Sequence, residues 1–236
     1  MLNQRYNVFN QIHKGLRGML YETAIQVQQT DFSRPEAQVV VDQLKQVLLF
    51  FDEHADSEDR FILPHLRIHN GQFVDELEEE HELDHRLTQT LFDHIQEWQT
   101  STMFSQREVI GQRLSVAFSE FIAFNLCHMN REENELLDLL WQHYTDAQIR
   151  QMQGQILQSL PPQTLLAESR WMMRSINDKE VINWLSGMKQ GAPIDIFHSF
   201  LKMAEEELPA GRFTNVKAML ELAWPVTDGL FWVSQT

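Results

Sequence analysis

Pairs of metal-ligating side chains spaced four residues apart, in phase with apolar stripes, constrain this chain more than any other feature. The plainest instance is Asn125–Leu136, where His128 and Glu132 lie one helical turn apart and project from the same face. Ala117, Phe121, Phe124, His128, Glu132, Leu136 and Leu139 recur at steps of four and three, so two ionisable residues occupy a core-facing stripe. A carboxylate buried without compensation is strongly destabilising, and a metal ion would supply that compensation.

The remaining stripes offer more ligands at the same spacing. Residues 5–30 read as a helix with Phe9, His13, Leu16, Leu20, Ala24 and Val27 inward. Thr30–Pro35 breaks it, with Ser33 placed to cap a helix that has Pro35 in its first turn. The second helix carries Val40, Leu44, Val47, Phe51, His54, Glu58, Phe61 and His65, and Pro64 should kink or end it. Asn70-Gly71 is the next turn, followed by a helix to about Gln99 with Val74, Leu77, His81, His85, Thr88, Phe92 and Ile95 inward. Ser101 or Thr102 leads into the fourth helix, about residues 103–143. Nowhere in this half does period-two alternation run far enough for a strand. The expected fold class is all-α, an antiparallel up-down four-helix bundle over residues 5–145.

From residue 146 to 236 the expected pattern is an appended region of about five short helices, punctuated at Pro161-Pro162, Asn177-Asp178, Gly191–Pro193, Leu208–Gly211 and Trp224-Pro225. Trp171, Met172, Met173, Trp184, Met188 and Phe197 read as packing residues, and His198 has no ligand type four residues away.

Composition narrows the partners. A net charge of −15 argues against nucleic acid and anionic membrane, which would repel the chain. No apolar run approaches the roughly 18–20 residues that span a bilayer, and the Met1–Tyr6 segment lacks a signal peptide's apolar core, so a cytoplasmic location is expected. The single cysteine, Cys127, excludes an internal disulfide framework and a thiolate cage for zinc or an iron–sulfur cluster. Residues 52–86 hold twelve Asp or Glu against three Arg, a net of −9, which reads chiefly as solvated helix surface.

Set side by side, the stripes present His13, His54, Glu58, His81, His85, His128 and Glu132. Seven ligands over-supply one zinc, and imidazole mixed with carboxylate suits iron or manganese. Two octahedral ions need about twelve positions; five imidazoles, two bridging carboxylates and a bridging oxide or hydroxide leave about one open. One vacancy suits a diatomic bound end-on. No residue is assigned a catalytic role, and none an organic cofactor.

This set resembles the hemerythrin family, specifically its bacterial branch of HHE cation-binding proteins, over about residues 7–143. The resemblance implies two irons with an oxo or hydroxo bridge, manganese being the alternative ion, and O2 or NO as ligand. It implies that Glu58 and Glu132 bridge, that His81, His85 and His128 hold one iron, and that His13 and His54 hold the other, which carries the vacancy. Two departures matter. The oxygen carriers place Asp five residues after the last His; Glu133 stands there, and Glu132 at four is the preferred ligand, as in the bacterial branch. Many members of that branch lack the second His of the third helix, and without His85 two positions would open and redox chemistry would gain over carriage. A di-iron oxidase or oxygenase, a sensor acting through the C-terminal helices and an iron store remain alternatives, as does a homo-oligomer built through those helices.

His81-Glu82-Leu83-Asp84-His85 also matches the His-Glu-x-x-His signature of zinc proteases, with Glu82 as base. Such an enzyme needs a third ligand and a strand to hold its peptide, and in a bundle Glu82 points outward. His65 and His69 should be exposed near a loop, His94 and His143 lack partners in phase, and Cys127, rotated roughly 100° from His128, should be a buried or helix-packing thiol.

Overall fold

The computed structural model describes residues 5–221, and among them every regular element is helical, as the stripes require. These residues divide into two compact units: 19–144, and those up to Gly18 together with those from Thr145 onward.

Helix α1 (Asn10–Gln29) begins in the second unit and ends in the first. A 3-10 turn at Pro35–Ala37 leads to α2 (Gln38–Phe61), the short α3 (Leu63–Leu66) and α4 (Gly71–Thr100). Then come α5 (Phe104–Arg131), a π-helical turn at Glu132–Leu136 and α6 (Leu137–His143). The breaks have local causes. Pro64 sits in the first turn of α3, where its missing N–H costs nothing, and α2 ends before it. The Asn70 side chain accepts from the Phe73 amide at 3.2 Å and caps α4. Ser33 is not a cap: Arg34 takes that position, while the Ser33 amide and hydroxyl donate to Asp31 at 3.0 and 2.6 Å. Met103, not Ser101 or Thr102, stands at the N-cap of α5.

Cross-helix pairs fix the topology. From α4 to α5, Glu97 meets Arg113, Asp84 meets Asn125 and Glu80 meets Arg131, so one number rises as the other falls. From α2 to α4, Lys45 meets Gln99, Asp52 meets His85 and Asp59 meets His81. Both pairs are antiparallel, as in an up-down bundle.

Phe51 and Phe121 pack edge to face at 5.2 Å inside this unit. At one end, Trp98 donates its indole N–H to the Phe32 carbonyl at 2.8 Å, and the two rings meet edge to face at 6.4 Å. Phe32 lies so close to α5 that a Cβ on Gly111 would fall 2.2 Å from the Phe32 Cβ.

The second unit contains α7 (Asp146–Ser159), α8 (Pro162–Ser175), α9 (Asp178–Gly191), α10 (Ile194–Glu207) and α11 (Ala210–Glu221), five short helices among the described residues. Thr145 with Gln148, and Asn177 with Glu180, form capping boxes. Met173, Trp184, Met188 and Phe197 are buried in one apolar cluster with Val181, Leu185 and Met203, and the partly buried Met172 packs against it. The start of α1 joins this unit: Asn10 and Lys14 both donate to Glu180, at 2.7 and 2.6 Å, and a Cβ on Gly18 would fall 2.1 Å from Ser175 Oγ. The expected break at Trp224-Pro225 lies outside the described residues.

Gly111→Ala forces its new methyl into Phe32 and should destabilise the protein by about 1–3 kcal/mol. Chemical denaturation of Gly111→Ala, Phe32→Ala and the double variant checks this. The glycine penalty should shrink when Phe32 is gone; an equal penalty in both backgrounds would refute the contact.

Candidate metal centre

Three helices and the π turn of the 19–144 unit converge on one buried cluster. Glu58 comes from α2, His81 from α4, His128 from α5 and Glu132 from the π turn, and one ligand atom of each lies within 4.8 Å of the others. His54, one turn before Glu58 on α2, offers an atom within the same distance of Glu58 and Glu132. His81 Nε2 lies 3.1 Å from His128 Nε2, and His128 Nε2 lies 3.1 Å from Glu132 Oε1. Glu58 faces two rings, with Oε1 3.4 Å from His54 Nε2 and Oε2 3.5 Å from His81 Nε2. These are ion-pair distances; neither Glu58 oxygen accepts a hydrogen bond, although both are buried.

The other expected ligands fall as follows. His13 is fully buried in the first turns of α1, its ring stacked on Phe9 at 5.1 Å. His85 lies outside the cluster: its side chain is 44% exposed, and its Nδ1 meets Asp52 at 3.0 Å. The cause is helical phase. After His81 the buried face of α4 steps by three to Asp84, then Thr88 and Leu91, so His85 is rotated by roughly 100° toward the surface. Glu132 is fully buried while Glu133 is half-buried. Glu82 is 76% exposed and pairs with Arg86, as expected for an outward residue. Cys127, expected to be buried, is exposed, because Met129 and His128 take the inner positions of that turn.

Residues that sequence reasoning set aside complete the geometry. The outer nitrogen of each central imidazole meets a carboxylate, His81 Nδ1 at 2.7 Å from Asp59 and His128 Nδ1 at 2.6 Å from Glu80. An ionised carboxylate only accepts, so each Nδ1 donates and each Nε2 is presented inward, the arrangement that orients a metal-ligating histidine. Asp84 and Asn125 are buried one turn away, with the Asn125 amide donating to Asp84 at 2.6 Å and to the Phe121 carbonyl at 3.1 Å. A faint signal was available, since Asp59 follows Glu58 and Glu80 precedes His81.

Burial and neighbouring charge shift the protonation of the cluster. Burial, and then the neighbouring Glu132 charge, push Glu58 well above the usual carboxylate range. Burial opposes charge on His81, yet its hydrogen bond to Asp59 and the neighbouring Glu132 and Glu58 carboxylates outweigh it and raise the ring to about 12. For His128, burial is likewise outweighed, by Glu132 and Glu80, and the ring rises to about 10. Burial also raises Asp84. The donor set, the inward Nε2 atoms and the buried Glu58 oxygens are compatible with metal binding.

A family model described as the hemerythrin HHE cation binding domain matches residues 4–140. Neither the curated proteins nor the solved structures returned a match.

Metal must displace these protons, which sets a pH dependence. Glu58, His81 and His128 are all raised on folding, so each stabilises the metal-free fold fully below its ordinary value and loses that contribution as pH rises through the raised one. Metal-free stability should therefore fall from about pH 6 to pH 9 while metal binding strengthens. The gap in Tm between loaded and metal-free protein should widen over that interval; a constant or shrinking gap would contradict the protonation assignments.

Proposed function

Because the chain belongs to the hemerythrin HHE cation-binding family, we propose that it is a non-haem di-iron protein that binds O2 or a related diatomic such as NO. The observation that carries this reading is Glu58, whose two oxygens face different imidazoles, His54 at 3.4 Å and His81 at 3.5 Å, so that each oxygen could serve a different ion. In this reading Glu58, Glu132, His81, His128 and His54 would hold the irons, with the two carboxylates shared; manganese is the alternative ion. Such a ferrous pair supplies electrons and an open coordination position. The chain's part is to hold His81 and His128 in one tautomer through Asp59 and Glu80 and to keep water out with Phe51, Phe121 and Phe124, the last stacked on His128 at 5.9 Å. No helix among the described residues is long and apolar enough to cross a membrane, and a cytoplasmic location fits the acidic, nearly cysteine-free chain.

His85 favours a second reading. Held by Asp52 at the rim, it leaves the His81–His128 ion one imidazole short, and a more open ion suits redox turnover or sensing better than stable carriage.

Iron loading followed by elemental analysis should give about two irons per chain, and the reduced protein should develop a new visible absorption in air. Glu58→Ala should lose both ions together, because a bridge serves both; Glu82→Ala and His85→Ala should keep them. One zinc and no iron, or full iron in Glu58→Ala, would overturn the reading.

A further inference from the structure

Arg131, the last residue of α5 before the π turn, carries more interactions than a surface cation needs. Its Nη1 donates to Glu80 Oε1 at 2.5 Å, its Nη2 bonds Glu76, and its Nε lies 3.5 Å from Glu135 in the π turn. The guanidinium plane lies 5.0 Å over the Phe73 ring, which fixes its orientation. Glu80 is shared: Oε1 takes Arg131, and Oε2 takes His128 Nδ1 at 2.6 Å. One carboxylate therefore joins a fixed cation to the outer edge of an imidazole whose inner nitrogen faces Glu132.

We propose that Arg131 is a positioning residue of the metal centre, acting through Glu80 to hold His128 with Nδ1 protonated and Nε2 free for the ion. The inference rests on the reading of this cluster as a metal site. The guanidinium presents its donors in a rigid planar fork, so it sets both the place and the rotation of the Glu80 carboxylate. Because Arg131 reaches Glu135 as well, the same contact ties the outer support of His128 to the turn that carries Glu132, and two ligands from adjacent helical turns are registered against α4. His81 has no such tie: its carboxylate, Asp59, lies on α2, and the support of the two central histidines is asymmetric.

Arg131 also braces α4 against α5, so the test must separate positioning from bracing. Glu76 provides the control: it bonds the same guanidinium from the same helix, and its Arg131 contact gives it no link to His128. Zn2+ affinity of the full chain, measured by chelator competition, should fall about 10- to 100-fold in Glu80→Gln and by a similar factor in Arg131→Gln, while Glu76→Gln stays at the parent value. Arg131→Lys, which keeps charge but not the fork, should recover only part of the loss. Combining Arg131→Gln with Glu80→Gln should add no further loss, because the arginine acts through that carboxylate. Equal effects of the Glu76 and Glu80 variants, or additive losses in the double variant, would overturn the proposal. If the parent itself bound no Zn2+ at this cluster, the metal-site reading would fail, and the positioning role with it.

Discussion

The structure depends on one electrostatic conflict: Glu58 and Glu132 point into the centre of a helical bundle, nearly sealed from water, beside one another. Isolated, each would cost several kcal/mol even after relaxation, and their mutual repulsion adds to that. The bundle eases the conflict by bringing His54, His81 and His128 to the same place, each within 3.5 Å of one of the two carboxylates. That resolution is incomplete, since neither Glu58 oxygen accepts a hydrogen bond. A fold that keeps such a group at its core gives up stability relative to an apolar one, and a bound cation recovers it.

Antiparallel packing turns this conflict into a defined geometry. Because α4 runs against both α2 and α5, the step from His81 to its supporting acid is made across helices, to Asp59 on α2, and Glu80 reaches the opposite way to His128 on α5. Helices α2 and α4 thus each supply an inner ligand and an outer support for the next helix's ligand. The π turn adds a local adjustment. With the Leu137 amide bonded to the Glu132 carbonyl, one extra residue enters the turn at the carboxylate that meets His128, a common position for such insertions in functional helices.

Much of this was legible in the sequence, for a physical reason. Burial filters residue types so strongly that a histidine or glutamate in an apolar stripe stands out, which is how Glu58, His81, His128 and Glu132 could be found, along with the turns at Pro64 and Asn70. What failed depended on phase or on neighbours. His85 and Asp84 are adjacent, both within tolerance of an inward face, and only packing against Asn125 decides that the aspartate goes in. Cys127 was misjudged for the same reason. The outer carboxylates were invisible because Glu76, Glu79 and Glu80 look alike as a string; only the position of Arg131 and His128 on the facing helix singles out Glu80.

The acidic run from 52 to 86 then takes on a different meaning from a solvated surface. Asp52, Asp59, Glu80 and Asp84 all lie on or near imidazoles of the centre or its rim, so part of the net −9 of that run is directed inward. Carboxylates, unlike backbone carbonyls, make the imidazoles stronger bases while adding negative potential around the site. That potential would draw divalent cations inward and would disfavour small anions at a metal-loaded site. A neutral diatomic feels neither effect. In the proposed di-iron reading, the same charges would bias a loaded centre toward uncharged ligands.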